Sequence, residues 1–265
     1  MNLPHATRLP LLLIAFVLCT NAAFAWGRTG HNAIAALAEA NLTPKAKAAI
    51  DKYLDGRSIV EFAVWMDEVR DTPAYSYSGG WHTAPVDNKF NHTDSSAKTK
   101  GDVITATMDS IKTLQKYQKR SKATVALHIK FLVHMIGDSH CPGHVGYSHF
   151  DYGFPVIING KPVDYHAVWD SRVVDSFKLS IPAWVQRLNR LSPDQISKVV
   201  AGAPRDWFHQ TAMSSIVIYE WGKSGMKMNG AQYDDFLKKA RPLAEMQLQK
   251  AGYRLAAVLN SIFDR

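Results

Sequence analysis

Apolar residues recur at helical spacing through most of this chain. Ile34, Leu37 and Ala38 share one face of a helix predicted from His31 to Leu42. Thr43-Pro44 then reads as a cap followed by a first-turn proline, starting a helix that runs to about Leu54. A third helix is predicted from Ser58 to Arg70, and an amphipathic one from Gly101 to Lys119 through Ile104, Met108, Ile111 and Leu114. Ala123 to Ser139 is almost continuously apolar and reads as a central buried helix, and Tyr165 to Phe177 returns to helix. The remainder holds several helices and ends in a long one that Pro242 starts or kinks. Between these, Asp71 to Ala97 is rich in Gly, Pro, Asn, Ser and aromatics and reads as a long loop. Asn159-Gly160, in the middle of Phe154 to Val163, marks one β-hairpin. The expected fold is all-α: a single mostly helical domain with long loops and one small hairpin.

The first 25 residues belong to a different pattern. Arg8, the apolar run Leu9 to Cys19 and the small-residue site Ala23-Phe24-Ala25 form a cleaved secretory signal. The run is too short to cross a bilayer, which takes roughly 20 residues. The expected division is therefore a signal peptide over 1–25 and a functional domain over 26–265. The mature protein would begin at Trp26, be secreted or periplasmic, and carry no transmembrane anchor.

Composition adds less. Hydrophobic residues make up 46% and charged residues 20%, which excludes a disordered chain or a collagen. The net charge of +8 suits a polyanionic or phosphate-bearing partner but does not identify one. Of two cysteines, Cys19 leaves with the signal, so no intramolecular disulfide supports the mature chain. Cys141 reads either as a small buried residue beside Pro142 or as a thiol ligand or nucleophile.

The chemistry lies in histidine and aspartate spacing. His134 and Asp138 are four apart on the central helix, and His166 and Asp170 are four apart on a later one, so each pair projects from one face. Imidazole and carboxylate set this way can chelate one ion, and the mixed donor set suits zinc. A single such pair is usually a surface contact. His134 and Asp138, however, lie among Phe131, Leu132, Val133, Met135 and Ile136, where unsatisfied polar groups are costly. His144 just beyond that helix, His31, Asp67 and His82 are further candidates.

In this order the segments resemble the S1/P1 nuclease family, trinuclear zinc nucleases whose fold is shared with zinc-dependent phospholipase C. The matching residues are Trp26-Gly27-x-x-Gly30-His31, Trp65-x-Asp67-x-x-Arg70, Trp81-His82, His134-x-x-x-Asp138-x-His140-x-Pro142-x-His144 and His166-x-x-x-Asp170, with a closing Ala251-Gly252-Tyr253-Arg254-Leu255-Ala256. The resemblance spans essentially the whole mature chain. It implies three zinc ions: one on Asp67, His82, His134 and Asp138, and one on His144, His166 and Asp170 with positions left open. The third takes His31, Asp138 and the α-amino nitrogen and carbonyl oxygen of Trp26. It implies hydrolysis of single-stranded DNA and RNA with 3′-nucleotidase activity, Asp67 orienting the attacking water and Arg70 holding a phosphate oxygen. It implies no stable protein partner. His140 matches a family position but reads as a hydrogen bonder to the ligand set rather than a ligand.

The sequence also departs from that pattern. Fungal and plant members place an aromatic and then an acidic residue after the first-zinc histidine to grip a base, where this chain has Thr83-Ala84-Pro85. Their Gly-Gly-Asn stretch between the second-zinc ligands is also missing. Tyr147, Phe150 and Tyr152 read either as alternative stacking surfaces, with Tyr147 the candidate substrate contact, or as loop packing. A phospholipase C-like hydrolase and a non-catalytic periplasmic zinc-binding protein are the alternative readings.

Overall fold

The computed structural model describes residues 26–94, 101–150 and 153–264. The predicted signal over 1–25, and Tyr152, lie outside them. Helix α1 (Arg28–Ala40) buries Ile34, Leu37 and Ala38. Helix α2 (Pro44–Tyr53) starts at Thr43, whose hydroxyl accepts from the Ala46 N–H, with Pro44 in the first turn where no N–H is needed.

The predicted helix from Ser58 to Arg70 is broken in two. Ser58 caps a 3₁₀ turn, Ile59–Phe62, and helix α3 begins only at Trp65 (Trp65–Val69). The break frees the Ala63 carbonyl from any helical ladder, and it accepts instead from Nδ1 of His134 at 2.8 Å. The predicted loop after it contains a 3₁₀ turn, Ser76–Ser78, and a short strand β1 (Ala84–Val86). The predicted helix to Lys119 ends sooner, as α4 (Val103–Leu114) capped by Asp102, followed by a separate turn, Tyr117–Lys119.

Helix α5 (Lys122–Asp138) is the buried centre of the fold: every residue from Phe131 to Asp138 is inaccessible. Helices α1, α2, α3 and α4 pack around it. Beyond it, a 3₁₀ turn (Pro142–His144) leads into β2 (Val145–Tyr147), which pairs in parallel with β1. Strands β3 (Pro155–Ile158) and β4 (Lys161–Asp164) form the predicted hairpin. Asn159 and Gly160 both take positive φ there, 49° and 78°, as the right-handed twist of a two-residue turn requires. Helix α6 (Tyr165–Ala167), a π-helical turn (Val168–Arg172) and helix α7 (Val173–Asp175) then form one helical run.

Helices α8 (Ile181–Leu188), α9 (Pro193–Val200), α10 (Pro204–Ser215) and α11 (Ile218–Trp221) follow. A two-residue strand β5 (Lys227–Met228) adds to the outer side of β3, so the hairpin belongs to a three-stranded sheet rather than standing alone. Helix α12 (Ala231–Phe263) closes the chain and packs on α1, α5 and α9. Pro242 lies inside α12, not at its start, and removes one rung of its hydrogen-bond ladder. The architecture is mostly helical with small sheets. Among the described residues no helix is long and apolar enough to cross a membrane.

Candidate metal centre

Eight of the predicted ligand side chains converge at the C-terminal end of α5. Helix α5 supplies His134 and Asp138, α1 supplies His31, and α3 supplies Asp67. His82 comes from the loop before β1, which is anchored where the Val103 N–H at the start of α4 donates to the Thr83 carbonyl at 3.1 Å. His82 Nδ1 lies 2.9 Å from Oδ2 of Asp138 and 3.5 Å from Oδ1 of Asp67. His134 Nε2 lies 3.1 Å from the same Asp138 oxygen and 3.7 Å from Asp67. The other Asp138 oxygen, Oδ1, faces His31 Nε2 at 3.3 Å and His144 Nδ1 at 3.6 Å. Asp138 thus presents its two oxygens to two different groups of histidines. The rings of His31 and His134 stack at 4.1 Å, an approach left open by Gly137, where a Cβ would meet the His31 ring at 2.9 Å.

A second half is built around Asp170. Its Oδ1 lies 3.4 Å from His144 Nε2, and its Oδ2 lies 3.0 Å from His166 Nε2. His144 and His166 stack nearly parallel at 4.8 Å. The Asp164 carboxylate caps the helix carrying His166 by accepting from the His166 N–H. Asp170 itself sits in the π turn, a feature that the four-residue spacing did not reveal. The Cys141 thiol donates to Asp170 Oδ1 at 3.5 Å and is fully buried, so it adjoins this half of the centre. Trp26 is also fully buried, and Gly27 N–H donates to the Asp170 carbonyl at 2.5 Å, which holds the segment ahead of α1 against the same half.

Buried carboxylates and imidazoles set the electrostatics of this cluster. Burial disfavours ionisation of Asp138, but His134 and His144 hold its carboxyl well below the usual range. Burial likewise opposes a charge on His134, yet Asp138 and Asp67 outweigh it and lift the pKa to about 9. Asp170 is lowered in the same way, against its burial, by His166. His31 and His82 are both lowered, chiefly by burial. Polar atoms remain orphaned: both ring nitrogens of His31 and of His144, Nε2 of His82, Oδ2 of Asp67, Oδ1 of Asp138 and Oδ2 of Asp170 are buried without an aligned hydrogen bond. Such atoms are costly unless something satisfies them. Their donor types fit zinc, and separations of 3.0–3.4 Å match the ~3.3 Å expected between two ligands each about 2.0–2.1 Å from one ion. Three ligand groups result, His31/His134/Asp138 and Asp67/His82/His134, which share His134, and Cys141/His144/Asp170. His134 Nδ1 is committed to the Ala63 carbonyl, which fixes its tautomer and turns the Nε2 lone pair inward.

The predicted substrate residues divide. Arg70 reaches Asp67 Oδ1 at 3.3 Å and its side chain keeps 18% of its surface exposed, at the rim of the cluster. Tyr147 is not an open stacking surface. It is buried in β2, its ring lies edge-on to Phe90 and Tyr219, and its hydroxyl donates to the Ala212 carbonyl of α10. Phe150 is 44% exposed and lies flat on Tyr219 at 4.7 Å. His92, His128, His149 and His209 hydrogen-bond elsewhere, to Asp102, Ser110, Asn88 and the Phe90 carbonyl.

The S1/P1 nuclease family model matches residues 26–264. Endonuclease 5 of Arabidopsis thaliana is 24% identical over 271 residues, covering 91% of this chain and 92% of that protein. Nuclease P1 of Penicillium citrinum is 26% identical over 267 residues, covering 89% and 97%. Nuclease S1 of Aspergillus oryzae is 23% identical over 273 residues, covering 90% and 92%. The matched span holds every residue of the centre, from Trp26 to Asp170, and the chain belongs to the S1/P1 nuclease family.

Proposed function

We propose that the chain is an exported zinc-dependent phosphodiesterase that hydrolyses single-stranded DNA and RNA and releases phosphate from 3′-nucleotides, its domain of 26–265 freed by cleavage after Ala25. The observation that carries the reading is the set of buried, orphaned histidine and aspartate atoms that share Asp138, in a chain whose relatives are named nucleases and endonucleases.

Asp67, His82, His134 and Asp138 would hold one zinc, and His144, His166 and Asp170 a second. His31, Asp138 and the Trp26 terminus would hold a third. Bound there, zinc supplies Lewis acidity toward the phosphate and leaving oxygens and makes water acidic enough to ionise near neutral pH. The chain's own groups do the rest. Ala63 fixes the His134 tautomer, and Asp138 ties the two halves together. Asp67 accepts the proton side of an incoming water through its orphaned Oδ2. Arg70, one helical turn from Asp67 and partly exposed, grips a phosphate oxygen. His166 is the most exposed ligand and marks the side by which substrate enters. A splayed single strand reaches such a recessed cluster more easily than a stacked duplex does.

The test is zinc analysis of the mature protein with activity on single-stranded DNA, a 3′-nucleotide and phosphatidylcholine, with and without chelator. The reading predicts chelator-sensitive cleavage of the first two. Cleavage of phosphatidylcholine alone would make the protein a phospholipase C-like hydrolase. Bound zinc without any hydrolysis would make it a zinc-binding protein.

A further inference from the structure

Arg254 is buried in α12 with no carboxylate within ion-pair distance among the described residues. A guanidinium in that position costs far more than an apolar side chain of the same size. Each of its three nitrogens donates to a neutral acceptor, and the acceptors belong to three separate parts of the fold. Nε donates to the Val199 carbonyl at the end of α9 at 2.9 Å, and Nη2 donates to Oε1 of Gln210 on α10 at 2.5 Å. Nη1 donates to Nε2 of His140 at 2.7 Å. The indole of Trp207 lies 5.2 Å from the guanidinium carbon. Only a planar fork can meet acceptors in this arrangement; a lysine offers a point charge.

His140 is gripped as firmly on its other side. Its Nδ1–H donates to the Ile136 carbonyl at 2.7 Å, so both ring nitrogens are occupied, and its backbone N–H donates to the Gly137 carbonyl at 3.0 Å. His140 lies in the turn that carries the chain from Asp138 to His144. That turn is also held by its own backbone, through Cys141 N–H to the Asp138 carbonyl and His144 N–H to the Cys141 carbonyl, by the Ser139 hydroxyl donating to the Ile136 carbonyl at 3.0 Å, and by the Cys141 thiol donating to Asp170. Asp138 and His144 face one another at 3.6 Å across the junction of the two halves of the centre. A shift of the turn by a few tenths of an ångström changes that separation directly.

We infer that Arg254 is a positioning residue of the metal centre, which acts through His140 to fix the turn between Asp138 and His144. The inference rests on the zinc reading above. Arg254 touches neither substrate nor ligand atoms. Through His140 it joins the turn to α9, α10 and α12, so that the ligand separation is set by the packed body of the protein.

The experiment compares mature wild type with R254M, R254K, H140Q and the double variant R254M/H140Q. It measures zinc retained against graded chelator, kcat and KM on single-stranded DNA well below the melting temperature, and helical circular dichroism. Wild type without zinc would refute the metal reading itself, separately from this inference. With wild type loaded, R254M is expected to keep its helical signal, lose zinc to at least tenfold less chelator, and drop in kcat with little change in KM. R254K should recover only part of this. H140Q, which keeps an acceptor for Arg254 but not the bond to Ile136, should lose zinc similarly, and the double variant should be no worse than the poorer single one. Should R254M fail to fold, H140Q and R254K carry the same comparison. Variants that melt earlier yet hold zinc and turn over like wild type would overturn the inference, as would multiplicative effects in the double variant.

Discussion

Replacing Gly137 by alanine separates the stability of the fold from the integrity of the metal centre. A Cβ at this position would stand 2.9 Å from Nδ1 and 3.1 Å from Cε1 of His31, and 3.4 Å from Cδ1 of Ile34. Ordinary contact begins near 3.4 Å, so the His31 ring has to move by about 0.5 Å, and His134, stacked on it at 4.1 Å, limits where it can go. Alanine in place of glycine favours the helix by roughly 1 kcal/mol, while overpacking costs about 1–3 kcal/mol. The net loss is then ~0–2 kcal/mol, or a fall in melting temperature of at most about 8 °C for a chain of this size. The metal centre is less forgiving, since ligand placement tolerates only about 0.5 Å. His31 would leave its place 3.3 Å from Asp138 Oδ1, and the zinc held between them should be lost while the other two stay. Zinc analysis and thermal melts of Gly137→Ala, loaded and metal-free, read both quantities. Full zinc content with wild-type turnover would refute the argument that Gly137 exists to admit His31.

Other consequences are equally direct. Asp138→Ala should be the most damaging single substitution, costing more than one zinc and nearly all activity, because His31, His82, His134 and His144 all face this carboxylate; retention of full zinc and activity would make the motif structural. In metal-free protein the His134 imidazolium contributes stability that is complete below the unfolded pKa near 6.5 and is lost as pH rises through about 9. Zinc loading at pH 7 must therefore expel that proton, and calorimetry in buffers of different ionisation heat should show at least about one proton released per chain. An extension of even one residue before Trp26 should abolish the third zinc and most activity, because an amide nitrogen has its lone pair delocalised into the peptide bond; equal zinc and activity with and without the extension would refute that ligand. Rates on homopolymers of the four bases should differ by less than about tenfold, roughly 1.4 kcal/mol, since Thr83 and Pro85 after His82 supply neither an aromatic face nor an acid to grip a base.

What the sequence disclosed depended on how local the cause was. Helix α5 and its pair His134 and Asp138 were legible because the apolar run and the four-residue spacing both lie within one element. The Asn159-Gly160 turn was legible because its chemistry is contained in two residues. The pairing of β1 with β2 was not, since each strand is three residues long and its partner lies about sixty residues away. The break at Ala63 was invisible for a related reason: the carbonyl that leaves the helix is used by His134, and nothing near Ala63 records that. Tyr147 misled because an aromatic residue in a loop-like stretch looks the same whether it faces solvent or, as here, the core. Arg254 was visible only as part of a closing motif. Its partners Val199, Gln210 and His140 are brought together by packing alone.

In the proposed reading the shared histidine and aspartate cluster binds zinc, and the bound zinc makes this chain a nuclease. The measurement that meets it most directly is titration of zinc into metal-free mature protein while following both bound metal and cleavage of single-stranded DNA. The account predicts that binding saturates at about three zinc ions per chain and that cleavage is absent before zinc and complete at saturation. Cleavage by metal-free protein, or full activity with one zinc or none bound, would contradict it.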